Sequence, residues 1–106
     1  MERRKHPRAP FQCQISFSRQ EMSEAGTVSN LAVGGCRVVS EASVYIGMYL
    51  TLQIHLPGHD SPLKLDQAVV RWAKEHEFGL EFTSMRPEEE ERLRDVVGIL
   101  RAGQSH

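Results

Sequence analysis

From Phe11 the chain alternates strictly, with Phe11, Cys13, Ile15 and Phe17 on one side and Gln12, Gln14, Ser16 and Ser18 on the other. A period of two puts every second side chain on the same face, so this stretch predicts a half-buried strand. The polar run over residues 19–24 predicts the turn that ends it. Residues 27–31 and 36–40 predict two strands flanking Asn30-Leu31-Ala32-Val33-Gly34-Gly35. The paired glycines suit a backbone conformation or close approach that a Cβ would obstruct. Residues 48–56 alternate again, with Leu50, Leu52, Ile54 and Leu56 on the core side, before the turn Pro57-Gly58-His59-Asp60-Ser61-Pro62. Residues 63–74 and 78–82 predict two more strands, joined through Lys74-Glu75-His76-Glu77. Six short strands at this spacing predict a small barrel or sandwich.

The two ends differ from this middle. Pro87 followed by Glu88, Glu89, Glu90 and Glu91 predicts a helix start, because proline is tolerated in the first turn and carboxylates favour its positive end. Leu93, Val96, Val97 and Leu100 follow at i, i+3, i+4 and i+7, one apolar stripe that should close an end of the barrel, with Gly103 as the stop. The first ten residues have no period, and Pro7 and Pro10 oppose helix and central strand alike. They predict an extended, mobile arm over residues 1–10, leaving 11–103 as the folded unit. With 106 residues and 12.0 kDa, the chain is expected to form one domain with one modest core.

Composition narrows the function classes. Hydrophobic residues make up 40% and charged residues 25%, the balance of a soluble globular protein. No stretch reaches the roughly 20 apolar residues of a membrane span, and no apolar run follows the N-terminus as in a signal peptide. A cytoplasmic protein of bacterial type is therefore expected. The net charge of −1 is unevenly spread. Residues 1–20 carry Arg3, Arg4, Lys5, Arg8 and Arg19 against Glu2 alone, a net +4, while the rest of the chain carries −5. This split fits an anion-binding arm on an acidic body, and also a solvated tail.

Catalytic readings find little to stand on. There is no Gly-x-Ser-x-Gly, and no carboxylate pair stands out from surface charge. His55 and His59 are four apart, but that spacing aligns ligands only on a helix, which Pro57-Gly58 opposes. Cys13 and Cys36 read as buried strand thiols rather than zinc ligands or a disulfide scaffold. Neither an enzyme nor a metal or cofactor site is expected. Trp72 reads as packing or strand-face cover, with a stacking platform at a ligand rim as the alternative. The glutamate run reads as a favourable helix start before it reads as a partner-binding patch.

The arm and the glycine loop say more together. Arg4 and Arg8 are spaced Arg-x-x-x-Arg ahead of the first strand, which allows two guanidinium groups to surround one compact anion. The arginine fork donates to phosphate oxygens or to guanine O6 and N7, and its plane stacks on a base. Asn30 can donate and accept at a base edge, and Gly35 permits close backbone approach.

These residues resemble the PilZ domain family. Arg4-Lys5-His6-Pro7-Arg8 is similar to its Arg-x-x-x-Arg motif, and Asn30-Leu31-Ala32-Val33-Gly34-Gly35 to its Asp/Asn-x-Ser-x-x-Gly motif. Gly34-Gly35-Cys36-Arg37-Val38, Ala68-Val69-Val70-Arg71-Trp72 and Phe78-Gly79-Leu80-Glu81-Phe82 look familial too, so the resemblance covers essentially the whole chain. It implies a mainly β fold, a six-stranded antiparallel β-barrel with a C-terminal α-helix, that binds the second messenger cyclic di-GMP. It also implies that Arg4 and Arg8 engage guanine and phosphate, with Arg3 a helper by proximity, and that Asn30, Ala32 and Gly35 line the opposite side.

Ala32 departs from the family serine, and losing one hydroxyl contact at about 0.5–1.5 kcal/mol should weaken binding roughly threefold to tenfold. The expected mechanism is a receptor whose arm orders on the ligand and then signals to a separate, unidentified protein partner or through self-association. The alternative is a PilZ-like interaction module that no longer binds nucleotide, while nonspecific nucleic-acid binding is disfavoured by the acidic body.

Overall fold

Strict alternation in several segments obliges the chain to bury one side of each strand. The computed structural model, which describes residues 12–103, shows how it does so. Strands β1 (Cys13–Arg19), β2 (Met22–Ala32), β3 (Gly35–Val39), β4 (Tyr49–His55), β5 (Leu63–Ala73) and β6 (Glu77–Ser84) are followed by one helix, α1 (Pro87–Gly103). All strand pairs are antiparallel, and the sheet closes on itself in the order β1-β2-β3-β6-β5-β4. Closure gives each of the six strands two neighbouring strands, which removes the free edge strands of an open sheet. Phe11 and the arm over residues 1–10 lie outside the described residues.

The inward positions are those the alternation marks. Ile15, Phe17, Leu50, Leu52, Ile54, Leu63 and Leu65 are almost completely buried, and Phe17 meets Phe78 edge to face with ring centroids 5.4 Å apart. Cys13 and Cys36 are buried and unbonded. Burial pushes the Cys36 thiol up to about 12, with the nearby Cys13 adding to the effect, and burial alone lifts Cys13 to about 11. Both are neutral thiols at physiological pH, packing as small apolar groups.

The expected turn over residues 19–24 is corrected. The turn is only Gln20-Glu21, with Gln20 in the left-handed region at φ 55°, and β2 begins at Met22. Residues 22–26 pair with β1, whereas β3 joins β2 only from Thr27 onward. This half of β2 belongs to a two-stranded ribbon with polar residues on both faces, so no alternation marks it as a strand. Ser40, at the end of β3, fastens the ribbon: its hydroxyl donates to the Ala25 carbonyl (2.9 Å) and accepts from the Ala42 amide (3.1 Å).

Helix α1 packs on β5 and buries Leu93 and Val97, with Val96 and Leu100 partly covered. Its acidic first turn does more than complement the helix dipole. Glu89 Oε1 accepts from the Lys64 backbone amide (3.1 Å) and from Arg92 (3.2 Å). Arg92 in turn donates to the carbonyls of Ser61 (2.9 Å) and Pro62 (3.3 Å), which ties the helix to the β4–β5 connection. No helix among the described residues is long and apolar enough to cross a membrane.

Candidate ligand site on the outer wall of the barrel

Antiparallel registers determine which outward side chains become neighbours. Asn30 on β2 pairs with Arg37 on β3, Arg37 with Gly79 on β6, and Gly79 with Trp72 on β5. These four residues form one lateral row, and residues paired across strands share a face. The row faces outward, because Leu31, Cys36, Leu80 and Val70 next to it are buried. The following outer row runs Ala32, Gly35, Glu81 and Val69.

Two irregularities shape this wall. A register shift between Val28 and Asn30 inserts Ser29 into β2, whose hydroxyl is enclosed without a hydrogen-bond partner among the described residues. A second shift between Val70 and Trp72 makes Arg71 the extra residue of β5 opposite β6. Bulges redirect side chains and sharpen local twist. Here the second one adds a guanidinium to a wall that a regular ladder would have filled with every other residue.

Two glycines keep the wall concave. A Cβ on Gly79 would overlap the Trp72 indole, so the ring lies over that glycine. A Cβ on Gly35 would overlap the Leu80 carbonyl oxygen of the adjoining strand. The Gly34 carbonyl also accepts from the Phe82 amide (2.9 Å), holding the β2–β3 loop against β6. The outcome is an open concavity of about 320 Å³ whose lining includes Asn30, Ala32, Gly34, Gly35, Arg37, Arg71 and Trp72. Lys74 Nζ sits 5.7 Å from the centroid of the Trp72 ring, and Arg71 Nε donates to Glu81 Oε1 at 2.5 Å. The site therefore offers an aromatic surface, two guanidinium groups, a side-chain amide and exposed loop backbone. It can hold a planar, hydrogen-bonding, negatively charged ligand.

The family model for the PilZ domain matches residues 2–98. The chain belongs to the PilZ domain family. This is a family of cyclic di-GMP receptors, and PilZ domains are ligand-binding and adaptor modules. Among solved structures, the chain is similar to the PilZ domain of CeSA from a cellulose-synthesizing bacterium, with a TM-score of 0.68 and 18% identity over 90% of this chain and 98% of that one. It is also similar to the Bacillus subtilis inhibitor of motility (MotI/DgrA), with a TM-score of 0.75 and 20% identity over 100% of this chain and 55% of that one. At these identities the likeness is one of fold. No curated protein matches the sequence.

In this PilZ domain the residues of the second motif, Asn30, Ala32 and Gly35, come together on one concavity. Arg3, Arg4 and Arg8 lie outside the described residues. Sequence reasoning passed over Arg37 and Arg71 as site residues and left Trp72 between packing and stacking. The structure sets Trp72 half-buried on the outer wall, lining the concavity. The signal for Arg37 was its outward place between Cys36 and Val38. Arg71 had no such signal, since its position depends on a bulge.

Gly35 joins the site to the fold, because its missing Cβ is what lets β3 lie against Leu80. Gly35→Ala should destabilise the domain by about 1–3 kcal/mol through overpacking. For a domain of this size that lowers Tm by roughly 5–20 °C. Thermal melting followed by circular dichroism checks it, and an unchanged Tm would contradict the close β3–β6 approach.

Proposed function

We propose that this domain is a non-catalytic receptor for cyclic di-GMP. The observation that carries the reading is the assembly of Asn30, Ala32 and Gly35 with Arg37, Arg71 and Trp72 on one concave wall. A guanine presents a flat face to Trp72 and hydrogen-bonding edges to Asn30, while phosphates meet guanidinium groups. The β1–β2 register supports a part for the N-terminal arginines, because Cys13, where β1 begins, pairs with Val28, two positions before Asn30. Arg4 and Arg8, with Arg3 beside them, are then within reach of a ligand on the wall, since an extended chain spans about 3.3–3.6 Å per residue.

The size of the concavity supports a second wall. About 320 Å³ is at the low end for small-ligand sites, and an open groove covers only one side of a cyclic dinucleotide. In this reading the arm supplies the other side and is ordered in doing so. Ordering costs about 1–2 kcal/mol of backbone entropy per residue, so affinity should be moderate despite several charge-assisted contacts. The ordered arm changes the surface offered to a separate protein or to a second copy of the chain, a population shift driven by differential binding.

The competing reading is a PilZ-type interaction module without nucleotide binding, and Ala32 favours it by withholding a hydroxyl from the wall. Isothermal titration with cyclic di-GMP, with GTP as control, separates the two. Saturable binding in the micromolar range or tighter, absent with GTP, is the expected result. No heat together with unchanged amide NMR shifts at saturating nucleotide would overturn it.

A further inference from the structure

The wall that collects cations also carries a carboxylate. Glu81 lies in the second outer row, paired with Gly35 on one side and Val69 on the other, and its Oε1 accepts a hydrogen bond from Arg71 Nε at 2.5 Å. Arg71 lines the concavity, so one of its two guanidinium groups has its Nε edge occupied by an internal anion. That edge matters, because Nε and a terminal nitrogen together form one of the forks that receive phosphate or carboxylate in bidentate fashion.

We propose that Glu81 is a displaceable latch on Arg71 that lowers the affinity of this wall for phosphate-bearing ligands. The proposal rests on the cyclic di-GMP reading for the identity of the ligand. The side chains of Arg71 and Glu81 are 62% and 48% exposed, and ion pairs that exposed are weak. A phosphate presenting two oxygens makes a stronger, bidentate contact and takes the guanidinium from the single carboxylate contact. Glu81 then stands as an unpaired negative charge next to a dianionic ligand. It therefore opposes binding in two ways, by competing for Arg71 beforehand and by repelling phosphate afterwards. An acidic side chain at this place sets a threshold: the site fills only when ligand is abundant enough to break the latch.

A double-variant cycle tests this by titrating cyclic di-GMP into the wild type, Glu81→Gln, Arg71→Gln and the Arg71→Gln/Glu81→Gln pair, with circular dichroism confirming the fold of each. Glutamine keeps the size of glutamate and removes its charge. Glu81→Gln should tighten binding roughly three- to tenfold, and the same change in the Arg71→Gln background should do far less. Wild-type affinity for Glu81→Gln, or equal tightening in both backgrounds, overturns the latch and leaves the receptor reading intact. Binding by Glu81→Gln alone supports the latch in its strongest form. If neither the wild type nor Glu81→Gln binds, the receptor reading fails and the latch falls with it.

Discussion

Replacing Arg4 and Arg8 together by alanine should remove measurable cyclic di-GMP binding while leaving thermal stability unchanged. Hydrogen bonds from a charged group contribute about 1.5–3 kcal/mol each. Losing both arginines therefore weakens affinity by roughly 10²- to 10⁴-fold, beyond the range of a titration that begins in the micromolar regime. The first described strand begins only at Cys13, so Tm should stay within about a degree of the wild type, the usual range for substitutions away from packed or bonded positions. Lysine replacements sharpen the test. Lysine retains the charge but loses the planar fork, so a strong loss in Arg4→Lys/Arg8→Lys would assign the arginines a bidentate or stacking role rather than a general electrostatic one. Wild-type affinity in the double alanine variant would mean that the arm takes no part in binding.

The second large effect concerns stability. Leu93→Ala should destabilise the domain by about 2–5 kcal/mol, the range for truncating a fully buried leucine. Leu93 is 0% exposed and joins the barrel core from α1, where Val97 packs one turn later. Against a total stability of about 5–15 kcal/mol this is a substantial fraction, and for this size of domain it corresponds to a fall in Tm of roughly 10–30 °C. Differential scanning calorimetry reads it directly. Ile99 supplies the contrast: it lies on the same helix but is 71% exposed, so Ile99→Ala should change Tm by no more than a few degrees. Equal losses for the two variants would mean that the helix does not seal the core as described.

Much of the architecture was legible because burial imposes periodicity. Ile15 and Phe17 in β1, Leu50, Leu52 and Ile54 in β4, and Leu93 and Val97 in α1 all lie inside where their spacing placed them. The failure came where burial stops. Residues 22–26 belong to β2 yet none of them is fully buried, so hydrogen bonding to β1 makes them a strand and no hydrophobic alternation marks it. The site was legible in a different measure. Asn30, Ala32 and Gly35 were read from a motif and do share the concavity, but Arg37, Gly79 and Trp72 became their neighbours through the registers of three strand pairs. Register is a relation between distant segments, and alternation within one segment does not specify it. The role of Gly79 in particular depends on Trp72 packing over it.

The alternation that hides one face of each strand also divides the work of the chain. Ala32, Arg37, Arg71 and Glu81 are all on the solvent side, whereas Leu31, Cys36, Val70 and Leu80 beside them hold the barrel together. On the receptor reading, substitutions of the first group should tune ligand preference while the melting behaviour hardly moves. Gly35 and Gly79 answer to both demands, since each forms part of the concavity and also has a neighbour pressed against its backbone. On that reading, chains descended from this one have room to drift in what they bind, provided those two positions stay without a side chain.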